Sequence, residues 1–287
     1  MKALLEYAGI RPSKRLGQNF LVDLNLMRII VKEAELSSDD VVLEVGCATG
    51  RLTELLAQEA GSVYGVEIDP QLADIARKRL ADHGNVSINS CDILESKREL
   101  NRKVVEELKS ILSGRERARF KVVSNLAYSI SSPVIGSLLL SELPVELMVV
   151  TLQQETAQRI TAKAGSKEYG TLSVLAQVLS DVKTVRSIPP TAFWPRPVVS
   201  STIVKFIIKP RAMEEIKDVE KLLSVLRAIF GFRRKKLRNV VGYLAGKAKK
   251  EAGLKLLEDA GIDPDIRGES LGPDEMVGLA NLLANKA

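Results

Sequence analysis

Residues 41–66 constrain the fold more than any other stretch. Val41-Val42-Leu43-Glu44-Val45 is an apolar run of strand length, residues 52–60 carry apolar side chains at helical spacing, and Val63-Tyr64-Gly65-Val66 is a second strand. A strand, a helix and a strand in such short order form a parallel pair, whose faces helices must cover. The rhythm continues with a helix at 71–82 and a short strand at 86–89. The apolar runs Phe120-Lys121-Val122-Val123 and Leu147-Met148-Val149-Val150 follow, and the sheet is expected to close with 182–188 and 202–208. The segment 95–119 is highly charged, yet Val104, Val105, Leu108, Ile111 and Leu112 recur at helical spacing, which predicts a surface helix with one apolar face.

Beyond Pro210 the pattern changes: 219–230, 235–245, 249–260 and 273–285 all read as helices, with no strand between them. The expected division is therefore a basic arm at 1–25, an α/β domain at 26–210 and a small helical domain at 211–287. No apolar stretch reaches the roughly 18 residues of a membrane span, and the first 15 residues lack the apolar centre of a secretory signal, so a soluble cytoplasmic protein is expected. Cys47 and Cys91 have no metal-ligand spacing and are expected as reduced, unpaired thiols. One histidine, His83 in a polar turn, leaves no inventory for a histidine triad or a multi-histidine metal site.

Chemistry concentrates at the strand ends. Glu44-Val45-Gly46-Cys47-Ala48-Thr49-Gly50 leaves the first strand and opens a helix, where glycines admit a ligand close to the backbone and the helix start offers unpaired N–H groups. Its G-x-x-x-G spacing lacks the G-x-G-x-x-G dinucleotide fingerprint. Glu67, 21 positions after Gly46, ends the second strand, where a carboxylate can accept both ribose hydroxyls, and Asp92 ends the third, where it can accept from an adenine amino group. Gly46, Gly50, Glu67 and Asp92 in that order describe a site for an adenosine without a pyrophosphate.

Ser124-Asn125-Leu126-Ala127-Tyr128 ends the fourth strand. An exocyclic adenine amine is a poor nucleophile because its lone pair is delocalised into the ring. Acceptors for its N–H bonds, here the Asn125 side-chain oxygen and the Leu126 carbonyl, would localise that density, with Tyr128 stacking on an extruded base. In the tail, Phe232-Arg233-Arg234-Lys235-Lys236-Leu237-Arg238 sets Arg233, Arg234, Lys235, Lys236 and Arg238 together, and Lys247, Lys249 and Lys250 follow. With a net charge of +6, phosphate contact is the natural reading, extended by Arg11, Lys14 and Arg15 in the arm.

Together with Gly17-Gln18-Asn19-Phe20-Leu21, Val66-Glu67-Ile68-Asp69, Cys91-Asp92-Ile93 and Phe193-Trp194-Pro195-Arg196-Pro197-Val198-Val199-Ser200-Ser201, these segments give a chain that resembles the small-subunit ribosomal RNA adenine dimethyltransferase family over nearly its full length. The resemblance implies a Rossmann-like class I methyltransferase domain using S-adenosyl-L-methionine, followed by a helical RNA-binding domain. It places Gln18, Asn19 and Leu21 against the cofactor beside Gly46, Gly50, Glu67, Asp92 and Asn125, and makes Phe193 a second stacking aromatic opposite Tyr128. It further implies N6,N6-dimethylation of adenines in a small-subunit rRNA stem-loop, with the pre-ribosomal small subunit as partner and no metal; the sequence leaves oligomeric state open, with a monomer as the default expectation.

Two positions depart from the family pattern: Ala127 stands where proline is usual, and Ala48 where glycine is usual, acceptable if its φ is negative. Two other readings share these residues. One is a large-subunit rRNA adenine methyltransferase of the antibiotic-resistance type, against which Arg267-Gly268-Glu269-Ser270-Leu271 and the final helix argue. The other is a non-catalytic ribosome-assembly or RNA-binding factor on the same scaffold, which Ala127 keeps open.

Overall fold

The computed structural model of the chain describes residues 9–13, 15–97, 99–244 and 250–285. It divides into two compact units, one of residues 1–157 with 182–208, the other of 158–181 with 209–287.

In chain order the first unit contains β1 (Phe20–Leu21), α1 (Leu24–Glu33), β2 (Asp40–Val45), α2 (Arg51–Glu59), β3 (Ser62–Glu67), α3 (Pro70–Arg79), β4 (Val86–Ser90), β5 (Leu94–Ser96), β6 (Glu99–Leu100) and α4 (Arg102–Ser113). It continues with β7 (Arg119–Asn125), α5 (Ser131–Leu139), β8 (Val145–Gln153) and the start of α6 (Gln154–Ile160), and resumes with most of β9 (Ser180–Ile188), then β10 (Phe193–Trp194) and β11 (Ser201–Ile208). Seven strands form one sheet in the order β4-β3-β2-β7-β8-β11-β9. The ladders from β4 through β8 are parallel, and β11 runs antiparallel to β8. Every residue of β2 is buried, as helices on both faces require.

From β2 the chain proceeds outward through β3 and β4, then returns to lay β7 on the other side of β2. Crossovers therefore leave in opposite directions at β2 and β7, and a crevice opens at the carboxyl ends of those strands, where ligands of open α/β sheets bind. The helices around it start cleanly. Asp23 caps α1 by accepting from the Asn25 and Leu26 N–H groups, Asp69 caps α3 ahead of Pro70, and Gly50, which has no side chain to offer, leaves the start of α2 uncapped.

The charged segment before β7 holds the expected surface helix in α4, buried through Val104 and Leu108, and also a small antiparallel pair, β5–β6, that the sequence pattern does not announce. Glu107 on α4 accepts the Tyr64 hydroxyl, and burial, with this bond second, raises the phenol's pKa. At the opposite ends of the strands, Asp40 is fully buried and takes Arg119 Nε at 3.0 Å and Lys121 Nζ at 3.0 Å. Lys121 also donates to the Ala34 and Glu35 carbonyls, closing the end of α1.

The second unit is helical: the end of α6, then α7 (Thr171–Leu179), α8 (Val219–Gly231), α9 (Leu237–Leu244), α10 (Lys250–Asp259) and α11 (Pro273–Ala284). Residues 158–181 group with this unit, whereas the sequence division placed them with the sheet. The reason is α7, whose Val174, Leu175, Ala176, Val178 and Leu179 are all buried and which packs on α8 and α11. A helix apolar on all sides needs cover beyond one sheet face. The backbones approach closely: a Cβ on Gly253 would lie 2.8 Å from Val241 Cβ, and one on Gly268 would lie 2.8 Å from Ile229 Cγ2. Tyr169 is fully buried, meets Phe230 edge-on at 5.6 Å and donates to the Leu271 carbonyl.

Among the described residues no helix is long and apolar enough to cross a membrane, and no cluster of three or more metal-ligating side chains occurs.

Candidate active site

A cavity of about 310 Å³ lies in the crevice at the ends of β2 and β7. Gln18, Asn19, Leu21, Gly46, Glu67, Asp92 and Asn125 all line it, together with Met27, Glu44, Ile68, Ile93, Ala127 and the cations Arg15 and Arg51. Residues separated by more than a hundred positions thus share one wall, because the strand ends converge there. The lining is mixed: apolar side chains suit the faces of a purine, carboxylates suit hydroxyls and amino groups, and amides suit either.

Gly46 has φ of +76°, and a Cβ there would meet nothing within 4 Å, so the glycine is required by its backbone and leaves open space in the cavity wall. Gly50, also at positive φ, does not line the cavity. Its Cβ would lie 2.9 Å from Leu80 Cδ1 and 3.3 Å from Ala76 Cα, so it serves the packing of α2 on α3, and the sequence assignment to the cofactor is corrected on that ground. Ala48 has φ of +51°, so the condition of a negative φ fails, and the methyl group is held in a conformation costing about 1 kcal/mol. Ala48→Gly is expected to stabilise the protein by about 1 kcal/mol, read as a higher denaturant midpoint at unchanged slope. A lower midpoint would mean that the methyl group contributes packing worth more than the strain.

Glu67 ties the loop to the second strand end: its Oε2 accepts the Ala48 N–H at 2.8 Å and its Oε1 the Asp69 N–H at 2.9 Å, leaving further acceptor capacity on both oxygens for a diol. Burial raises its pKa, and those two N–H groups work against the rise. Asp92 is exposed and uses Oδ1 on the Leu94 N–H at 2.9 Å.

Glu44, 2% exposed, stands behind the glycine loop with Oε2 unpartnered, and its pKa is pushed up to about 8, chiefly by burial and further by Glu67, against the Thr53 hydroxyl. A folded pKa above the unfolded one means that the native state holds this proton more tightly. The contribution to stability is full below the ordinary carboxylate range and is lost as pH rises towards 8. Stability is therefore expected to fall between about pH 5 and pH 8. Glu44→Gln should remove most of that slope in urea melts, and an equal slope in the variant would assign the dependence to another group.

Asn125 closes β7. Its Oδ1 accepts the Thr151 hydroxyl at 2.5 Å and its Nδ2 donates to the Asn19 carbonyl at 3.1 Å, so the amide is fixed from β8 on one side and from the arm on the other. Thr151, buried and in register with Asn125, is a positioning residue the sequence reading missed. Its one signal is a hydroxyl within the apolar run of residues 147–152. Leu126 is buried and Tyr128 half-buried, its hydroxyl 2.6 Å from Ser201 Oγ. Neither side chain lines the cavity, although the neighbouring Ala127 and Ser129 do.

Phe193 departs from its expected role. It is 4% exposed in β10, pairs with Leu21 of β1 and packs in the apolar core with Leu26, Met27, Ile30 and Val149. The neighbouring Trp194 stacks on Phe20 at 6.3 Å. Phe193 thus braces the arm strand beneath Leu21 and offers no ring face to the cavity, since an aromatic this size gains more from burial than from display.

In the helical unit the basic run is split by function. Arg233 turns inward: its guanidinium donates to Glu269 at 2.5 Å and to the carbonyls of Ser166, Lys167 and Tyr169 at 2.9–3.0 Å. Its placement among phosphate contacts is therefore corrected, because four of its five N–H donors are taken within the unit. Lys236 and Arg238 both pair with Asp265. Arg234 and Lys235 are exposed and have no ion pair among the described residues. Lys14, Lys247 and Lys249 lie outside the described residues, as does the side chain of Lys250.

A family model described as ribosomal RNA adenine dimethylase matches residues 10–285. Proteins named ribosomal RNA small subunit methyltransferase A from Geobacillus sp. (strain WCH70) and Bacillus cereus (strain B4264) are each 39% identical to the chain, across 98% of it and 95% and 94% of their own lengths. Among solved structures, a dimethyladenosine transferase from Plasmodium falciparum superposes with a TM-score of 0.76 at 23% identity, covering 91% of this chain and 95% of that one. The 23S rRNA methyltransferase ErmE follows at 0.62 and 24%, covering 93% and 100%. Those two likenesses show the fold, a class I methyltransferase sheet. With the model match over nearly the whole length and the 39% relatives, the chain belongs to the ribosomal RNA adenine dimethylase family.

Proposed function

We propose that this enzyme transfers methyl groups from S-adenosyl-L-methionine to N6 of adenines in a small-subunit rRNA stem-loop, acting as a cytoplasmic monomer on the pre-ribosomal small subunit. The observation that carries the reading is Asn125, fixed by Thr151 and Asn19 on the wall of the cavity that Gly46, Glu67 and Asp92 also line. S-adenosyl-L-methionine supplies an electrophilic methyl group on sulfonium. Glu67 receives the ribose hydroxyls, Asp92 the adenine amino group, and Leu21, Ile68 and Ile93 the apolar surfaces.

The Asn125 oxygen and the Leu126 carbonyl accept the N–H bonds of the target amine and localise its lone pair for in-line attack. With the amine so held, its nitrogen would take the methyl group with the sulfide as leaving group, and, acidic once alkylated, would release its proton to water. A strong general base is not needed, which suits a chain with one histidine remote in sequence from these motifs.

Relatives of 39% identity named for the small subunit favour this reading over the large-subunit one. The test is transfer of labelled methyl to small subunits lacking the modification, with naked large-subunit rRNA in parallel and nucleoside mass spectrometry as readout. Dimethyladenine in the small-subunit sample alone supports the proposal. Label confined to large-subunit rRNA moves the enzyme to the other branch, and subunit binding without label makes it an assembly factor.

A further inference from the structure

Phe232 and Tyr243 stack with ring centroids 4.5 Å apart and planes inclined by 27°, and both are left to solvent, 36% and 55% exposed. Phe232 follows α8 and Tyr243 lies on α9, so the pair bridges two helices of the second unit without entering its core. Among the described residues the other ring–ring contacts, Tyr169 on Phe230 and Phe20 on Trp194, each include a buried ring. The Tyr243 hydroxyl has no protein partner among the described residues.

The surroundings are cationic. The Phe232 carbonyl accepts the Lys235 N–H at 2.8 Å, which folds residues 232–235 into a turn and keeps Arg234 and Lys235, exposed and without an ion pair among the described residues, within three positions of Phe232. Arg233, between them, is withdrawn to Glu269. The turn thus separates an inward arginine that holds the unit together from an outward set that combines π-faces with positive charge.

We infer that the Phe232–Tyr243 pair is a stacking platform for an unpaired nucleobase of RNA, with Arg234 and Lys235 receiving the flanking phosphates. Aromatic faces next to cations are how single-stranded RNA is held without reading its sequence, since every base has a π-face. A duplex offers no free base face and should use the cations alone. The inference rests on the proposed function for the class of partner, and a separate measurement keeps the two apart.

The experiment compares binding of a short oligoadenylate strand and of a blunt RNA duplex of the same length by fluorescence anisotropy, using the full chain and its Tyr243→Leu, Tyr243→Phe and Arg234→Ala variants. Tyr243→Leu keeps apolar bulk for folding, checked by its melting midpoint, and removes the ring. It is expected to weaken oligoadenylate binding about tenfold without changing duplex binding or the salt slope, whereas Tyr243→Phe binds as the parent does. Arg234→Ala should weaken both probes and lower the salt slope by about one.

Equal oligoadenylate affinity in parent and Tyr243→Leu would overturn the platform while leaving methyl transfer untouched, as would an equal loss for the duplex. If the parent binds oligoadenylate through Tyr243 but transfers no methyl group to any rRNA, the platform stands and the proposed function falls.

Discussion

Asn125→Ala is expected to cut methyl transfer by about a hundred- to a thousandfold, the loss seen when one oriented polar group is removed from a transition state. Binding of rRNA should change little if phosphates are held, as proposed, by the cations of the helical tail. The argument rests on the way the amide is held. Thr151 occupies one acceptor position of Oδ1 and the Asn19 carbonyl fixes Nδ2, so the remaining acceptor position of Oδ1 is aimed without reorganisation during the reaction. Asn125→Asp retains an acceptor, but its oxygen opposite the Asn19 carbonyl faces another acceptor, so it should recover only part of the rate.

Thr151→Val provides the control. It removes the positioning bond while keeping shape, and should lower kcat with little effect on the Michaelis constant for RNA, by less than Asn125→Ala does. Single-turnover assays at saturating RNA distinguish these outcomes. A normal rate for Asn125→Ala would remove the amide from the chemistry altogether.

Arg233→Ala is expected to destabilise the helical unit by about 3 kcal/mol, lowering its melting midpoint by on the order of 10 °C. The figure is kept below that of a fully buried pair because the arginine side chain is 32% exposed and Glu269 16%. Removing the guanidinium strands the Glu269 carboxylate and three carbonyls in a partly dry turn, where unmade bonds cost more than made ones gain. Arg234→Ala, one position along, should leave the melting midpoint within about 1 °C and instead reduce the salt dependence of RNA binding. Calorimetry and anisotropy on the two variants test this division. Matching behaviour of the two would mean that the run acts as an undivided basic surface.

The sheet was legible because its strands are apolar runs between turn residues, and buried parallel strands have little freedom to be anything else. The strand-end acids were legible for the same reason: once the strands are placed, Glu67 and Asp92 fall at one edge. The departures share a different cause. Residues 232–238 read as one charge run, but charge says nothing about which guanidinium finds carbonyl partners, and Arg233 is distinguished only by the Ser166–Tyr169 turn folding against it. Phe193 was expected to stack on the base only through the family resemblance, whereas its burial against Leu21 depends on a segment at the far end of the unit. Thr151 was hidden in the apolar run it interrupts, and Gly50 serves helix packing that no local pattern encodes.

The pairing of Phe20 with Trp194 and of Leu21 with Phe193 carries a consequence for synthesis on the ribosome. The arm precedes the sheet, but its partners emerge only after the chain has left the first unit at residue 157, built a segment belonging to the helical unit and come back at residue 182. Until then Leu21, which lines the cavity, lacks the β10 strand that braces it. A nascent chain stalled before Phe193 holds the residues of β2, β3, β4, β7 and β8 but not the strand that pairs with Leu21, and such long-range pairing is slow to form. The cavity wall at Leu21 is therefore completed only once residues 193–194 have been made.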